Sequence, residues 1–72
     1  MNWHERIKAD PAICHGRACI AGTRVMVSVI LDNLAAGETP AAVAEGYHVT
    51  LEDVQAALLY AAQLGKEPPK AA

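Results

Sequence analysis

The chain has 72 residues, of which 53% are hydrophobic and 4% aromatic, and its formal net charge at pH 7 is −2. A domain of this size buries only about 60% of the surface that its unfolded chain exposes, so we expect it to gain stability by self-association. The negative net charge lacks the basic footprint of a stand-alone nucleic-acid-binding domain, and binding to DNA or RNA would therefore need local arginines or a partner.

Membrane and cofactor functions are not expected from the sequence. It has no apolar run of the roughly 18 residues that a bilayer-spanning helix needs, and its first residues lack the apolar core of a signal peptide. The glycines do not form a phosphate-binding loop, because the required Lys-Ser/Thr ending is missing. We expect a cytoplasmic protein with no membrane partner and no cofactor.

The N-terminal part of the chain predicts short strands. Apolar and polar residues alternate over residues 6–9, and Asp10 followed by Pro11 interrupts that run. Two further β-prone runs, residues 19–20 and 24–27, are joined by Ala21-Gly22-Thr23, and Gly16 precedes them. Turn geometry with positive φ explains Gly16 and Gly22 better than close approach to a ligand does.

Three helices are predicted after residue 26. Val27, Ile30, Leu31, Leu34 and Ala35 share one face of the first helix, which Gly37 ends. The second begins at the Thr39 N-cap with Pro40 in its first turn, and the third begins at Thr50 as a capping box closed by Asp53. The third helix stops at Gly65, and its predicted buried stripe is Leu51, Val54, Ala57, Leu58, Ala61 and Leu64.

These elements predict a mainly α fold. Three helices with a short turn between the last two are typical of a homeodomain-like (helix-turn-helix) bundle, here preceded by an N-terminal strand or hairpin region. We assign residues 1–65 to a single domain. Residues 66–72 form a polar, proline-containing segment that we expect to be disordered.

Cys14, His15 and Cys19 are the residues most suggestive of chemistry. Thiolate and imidazole are zinc ligands, but four residues separate the cysteines and the other histidines, His4 and His48, follow no metal-binding pattern. A catalytic cysteine needs a cleft for which so small a helical domain has little room. A disulfide is not expected in a reducing cytosol. We therefore expect buried or half-buried thiols, no metal and no enzymatic activity.

Basic residues are concentrated before the first helix. In a helix-turn-helix, the exposed early positions of the last helix meet the DNA bases, and here they are Thr50, Glu52, Asp53 and Gln55. Two carboxylates would oppose phosphate binding. Recognition is therefore expected from the N-terminal region, where the basic residues are Arg6, Lys8, Arg17 and Arg24.

The order of these motifs resembles a small bacterial family, domain of unknown function 433. The resemblance extends from about Arg6 to Ala62, and it depends most on the Gly-Thr-Arg turn at residues 22–24 and the Thr-Leu-Glu-Asp-Val helix start at residues 50–54. Ala18 and Met26 stand where the family commonly has proline, which loosens the expected turns without changing the register. The resemblance implies a homeodomain-like core after short strands, a tendency to dimerise, and a toxin partner resembling a PIN-type ribonuclease.

On this basis we expect an antitoxin of a toxin–antitoxin pair. It would neutralise the ribonuclease by protein–protein binding and also regulate its own operon by binding operator DNA. The alternatives are an autonomous helix-turn-helix regulator and a structural dimerisation module. Candidate residues for binding a partner or nucleic acid are Lys8, Arg17, Thr23 and Arg24, the motif turns are Gly16 and Gly22, and the candidate homodimer contacts are Ile20, Val25, Val27 and Val29.

Overall fold

The computed structural model describes residues 2–66 and Pro68, where a two-stranded sheet precedes three α-helices. The predicted mainly α fold with N-terminal strands is confirmed. The predicted tail lies outside the described residues apart from Lys66 and Pro68, and none of the helices within the described part is long and apolar enough to cross a membrane. The elements are β1 (Ile7–Lys8), β2 (Cys19–Ile20), α1 (Val27–Ala35), α2 (Pro40–Tyr47) and α3 (Leu51–Gly65).

The sheet is short and antiparallel, with Ile7 opposite Ile20 and Lys8 opposite Cys19. The β-prone run at residues 24–27 does not form a strand, contrary to the prediction. The chain turns back after β2, and Met26 makes a single bridge to Cys19. Val27 then begins α1, so the run is divided between a turn and a helix.

The predicted start signals of α2 and α3 are confirmed. The Thr39 side-chain oxygen accepts a hydrogen bond from the Ala42 N–H at 3.1 Å, and Pro40 occupies the first turn of α2. At α3 the capping box is complete, because Thr50 Oγ1 accepts from the Asp53 N–H and Asp53 Oδ2 accepts from the Thr50 N–H, both at 3.0 Å. Each cap satisfies backbone donors that have no partner within the helix.

The core is built from aliphatic side chains of the two strands and all three helices. Ile20 is 1% exposed and Val27 is 2% exposed, so both belong to this core. The structure thereby corrects their assignment as homodimer contacts, because a second chain cannot reach side chains that the fold itself encloses. Val25 and Val29 are half-buried and stay candidates. The largest fully buried side chains are Ile20, Val27, Ile30, Val43 and Val54.

The buried face of α3 differs from the prediction. Val54, Ala56 and Ala57 are buried, whereas Leu51, Leu58 and Leu64 are 55%, 38% and 51% exposed. Nearly every face of this helix carries apolar residues, so periodicity alone does not determine which face packs inward. The small side chains Ala56 and Ala57 turn inward, and the predicted stripe of leucines is largely on the surface.

An ion pair joins the N-terminal layer to α3. Arg6 Nη1 lies 3.1 Å from Asp53 Oδ1, and the Asp53 side chain is 14% exposed. The main chain of Arg6 also accepts a 2.8 Å hydrogen bond from the Ala21 N–H, next to β2. Asp53 therefore caps its own helix with one carboxylate oxygen and holds the N-terminal layer with the other.

Replacing Asp53 is expected to remove both contacts. Asp53→Ala should lower the free energy of unfolding by about 2 kcal/mol, the sum of a lost cap and a lost charge-assisted hydrogen bond. Asp53→Asn keeps an oxygen for the cap and should lose about half as much. Chemical denaturation followed by circular dichroism measures both, with Glu52→Ala in the same helical turn as the matched control. Equal stability of the Asp53→Ala and Glu52→Ala proteins would contradict this assignment.

Candidate partner-binding site

The segment before β2 forms a left-handed turn. Cys14, His15 and Gly16 have φ angles of 53°, 55° and 79°. The main-chain carbonyl of Asp10 accepts from the Ile13 and Gly16 N–H groups at 2.9 and 3.2 Å, and the Arg17 N–H donates to the Cys14 carbonyl at 3.0 Å. Left-handed geometry is costly for residues with a Cβ, so these hydrogen bonds hold the turn that ends at Arg17.

The two cysteines flank this turn. The sulfur atoms of Cys14 and Cys19 lie next to each other, in contrast to the expected unpaired thiols, and Cys19 is buried and Cys14 half-buried as expected. The Sγ atom of Cys14 also lies 3.3 Å from the main-chain carbonyl oxygen of Arg24. The Cys14 side chain therefore contacts both β2 and the turn that follows it.

Thr23 stabilises the second turn. Its hydroxyl donates to the Ile20 carbonyl at 2.8 Å and accepts from the Val25 N–H at 3.0 Å. Gly22 has φ of 78° in the same turn, which favours glycine there. The Thr23 hydroxyl both donates and accepts a hydrogen bond within the chain, so Thr23 stabilises the turn. Arg24 is the polar residue that this turn exposes.

Arg17 borders a groove on the surface. This groove of about 450 Å³ lies between the N-terminal segment, the start of α1 and the C-terminal half of α3. Arg17 and Ser28 supply polar side chains, and the apolar lining includes Ala18, Leu31, Tyr60 and Leu64. The volume overlaps the range of ligand pockets, and among residues 2–66 no carboxylate, histidine or cysteine lines the groove. An arginine beside apolar side chains suits the binding of a partner with a carboxylate and an apolar group.

The predicted basic residues separate into different places. Lys8 and Thr23 line a smaller cleft of about 120 Å³, and Arg24 lines neither that cleft nor the groove. Arg6 is paired with Asp53 and acts in the fold. Within residues 2–66, neither Arg17 nor Arg24 forms an ion pair. Arg17 is thus the predicted binding residue that lies at an apolar groove. The sequence patterns did not identify Tyr60 and Leu64 as lining that groove.

The left-handed turn allows a paired test with alanine. Gly16→Ala should lower the free energy of unfolding by about 1 kcal/mol, because φ of 79° is unfavourable for alanine although its Cβ would meet only Pro11 Cα at 3.8 Å. Gly46→Ala, inside α2 with open space around it, should raise it by roughly 0.5–1 kcal/mol. Thermal unfolding of the two variants compares them directly; the same sign of change in both would contradict the turn geometry.

Comparison with known proteins identifies a family and a similar solved structure. A family model described as "Protein of unknown function (DUF433)" matches residues 7–61, from β1 into α3. No curated protein matches the chain. The X-ray crystal structure of Rv2018 from Mycobacterium tuberculosis is similar, with 33% identity and a TM-score of 0.70 over 78% of this chain. The chain spans only 27% of the length of that Rv2018 chain.

Proposed function

The chain belongs to the DUF433 family of proteins of unknown function, and we propose that this member is a non-enzymatic, cytoplasmic antitoxin that binds and neutralises a PIN-like ribonuclease. The observation that carries the proposal is the position of Arg17 at the edge of an apolar groove. Arg17 is exposed, and among the described residues it has no carboxylate partner. Its guanidinium is therefore free to bind a carboxylate of another protein.

The chemistry of the groove supports a protein partner. Apolar anchors seated in a pocket, together with an arginine, are the features that dominate protein–protein binding energy. Leu31, Tyr60 and Leu64 provide the apolar surface beside Arg17. A guanidinium binds carboxylates in a bidentate manner, and a metal-dependent ribonuclease presents carboxylates at its active site. An acidic segment of the ribonuclease with an adjacent apolar side chain fits both features.

Arg17→Ala is expected to weaken binding to the ribonuclease at least tenfold, which corresponds to about 1.4 kcal/mol. Arg17→Lys should bind with intermediate affinity, because lysine keeps the charge and loses the planar fork. Leu64→Gln should weaken binding through the apolar side of the groove. Calorimetric titration of the purified ribonuclease with each variant measures these changes.

The matched control is Gln63→Ala, which is exposed beside Leu64 and does not line the groove. It should bind like the unmodified chain. Thermal unfolding checks that all four variants remain folded. Ribonuclease activity that is unchanged by a molar excess of the unmodified chain would overturn the antitoxin proposal.

One observation favours a second candidate, autoregulation by DNA binding through the α2–α3 unit. Asp53 was expected to repel phosphates, but Arg6 is paired with it, and Glu52 is the carboxylate left exposed in the first turn of α3. The exposed Thr50 and Gln55 lie on either side of Glu52 in the sequence. The pairing lowers the electrostatic obstacle to placing this helix near DNA.

This candidate predicts a complex with the DNA upstream of the protein's own gene whose affinity falls steeply with salt. Glu52→Gln should strengthen the complex if α3 faces the DNA. Arg17→Ala and Arg24→Ala should weaken the complex if the N-terminal turns, and not α3, face the DNA. A mobility-shift titration separates the two orientations, and no complex at low salt would exclude DNA binding.

A further inference from the structure

α3 carries an apolar stripe on its surface. Leu51 and Leu58, which are 55% and 38% exposed, are two turns apart, and the exposed Gln55 and Ala62 continue the same line. The helix packs inward through Val54, Ala56 and Ala57. No residue within the described part of the chain covers Leu51 or Leu58 enough to bury them. Leu64 lies on a different side of α3, where it lines the groove.

Charged residues lie at the two ends of this stripe. Glu52 is in the first turn of α3 and Lys66 is at its C-cap, and both are exposed. At about 100° per residue they lie on the same side of the stripe, separated by roughly 21 Å along the helix. One end of the stripe is therefore flanked by a negative charge and the other end by a positive charge.

This arrangement is complementary to itself in one orientation. A two-fold axis can pair two copies of α3 antiparallel. The side of the stripe that carries Glu52 and Lys66 then lies on the same side of the contact in both copies, so Glu52 of each copy faces Lys66 of the other. A parallel pair would place like charges at the same end. The antiparallel pair also aligns the two helix dipoles favourably. Charge, leucine spacing and dipoles all favour the same arrangement.

We propose that the α3 stripe of Leu51, Gln55, Leu58 and Ala62 is the surface on which a second copy of this chain docks, antiparallel, with Glu52 and Lys66 paired across the contact. The contact is as long as one helix, about 22 Å at ~1.5 Å per residue, so it is short for a permanent dimer and fits a reversible one. It does not depend on the proposed antitoxin function, because the groove lies on another side of α3.

Sedimentation equilibrium of the full chain from micromolar to millimolar concentration tests this contact. The unmodified chain should change reversibly from the 7.6 kDa monomer to twice that mass. Leu51→Gln and Leu58→Gln should each weaken association at least tenfold and leave the helical circular dichroism unchanged, since both side chains are exposed in the single chain. Leu64→Gln is the matched control and should dimerise normally. A monomer at millimolar concentration would overturn the proposal, as would equal weakening by all three variants.

Charge reversal tests the orientation. Glu52→Lys and Lys66→Glu should each weaken association about tenfold at low salt, because each replaces two attractions by two repulsions in the symmetric pair. The double variant should recover the original affinity. Additive weakening in the double variant would exclude the antiparallel pairing of Glu52 with Lys66. Loss of ribonuclease binding with dimerisation intact would overturn only the antitoxin proposal.

Discussion

The structure depends on one carboxylate near the start of α3. Asp53 accepts the Thr50 N–H through one oxygen and contacts Arg6 through the other, 47 residues away in the chain. Its partner Arg6 immediately precedes β1 and accepts the Ala21 N–H on its own carbonyl. The sheet, the turn after β2 and the longest helix are therefore connected through Arg6 and Asp53. Without this ion pair, α3 and the N-terminal layer would be held together mainly by a core whose largest fully buried side chains are isoleucine and valine.

The groove lies between the N-terminal segment and α3, which this ion pair connects. One wall of the groove is formed by the N-terminal segment at Arg17 and Ala18, and another by Tyr60 and Leu64 of α3. Trp3 contacts Tyr60 edge to face, with ring centroids 5.4 Å apart, and adds a second link between the same two layers. A second copy docked on Leu51 and Leu58 would leave the groove open. In our account, one helix serves self-association along one side and partner binding along another.

Local chemistry made much of this fold predictable from the sequence. Threonine caps, Pro40 and the glycine turns act within a few residues, and α2, α3 and β2 begin where those signals place them. The inward face of α3 was not predictable, because leucines and alanines occur on all sides of the helix. The side that packs against the core carries Ala56 and Ala57, and three of the leucines are exposed. Arg6 pairs with Asp53, and Arg17 and Leu64 line the same groove. The members of each pair are distant in the chain, and no local sequence pattern predicts that they come together. Ile20 and Val27 were predicted to be exposed dimer contacts, because their strand-like pattern does not show that other parts of the fold bury them.

The central claim is that the partner binds the Arg17 groove and that the α3 leucine stripe lies outside that contact. Amide chemical shifts of the isotope-labelled chain, recorded while the purified ribonuclease is added, test it most directly. The account predicts shifts at Gly16, Arg17, Ala18, Ser28 and Leu64, with the signals of Leu51, Gln55 and Leu58 unchanged once the protein concentration is held constant. Shifts confined to Leu51, Gln55 and Leu58, or no shift at Arg17 in a formed complex, would contradict it.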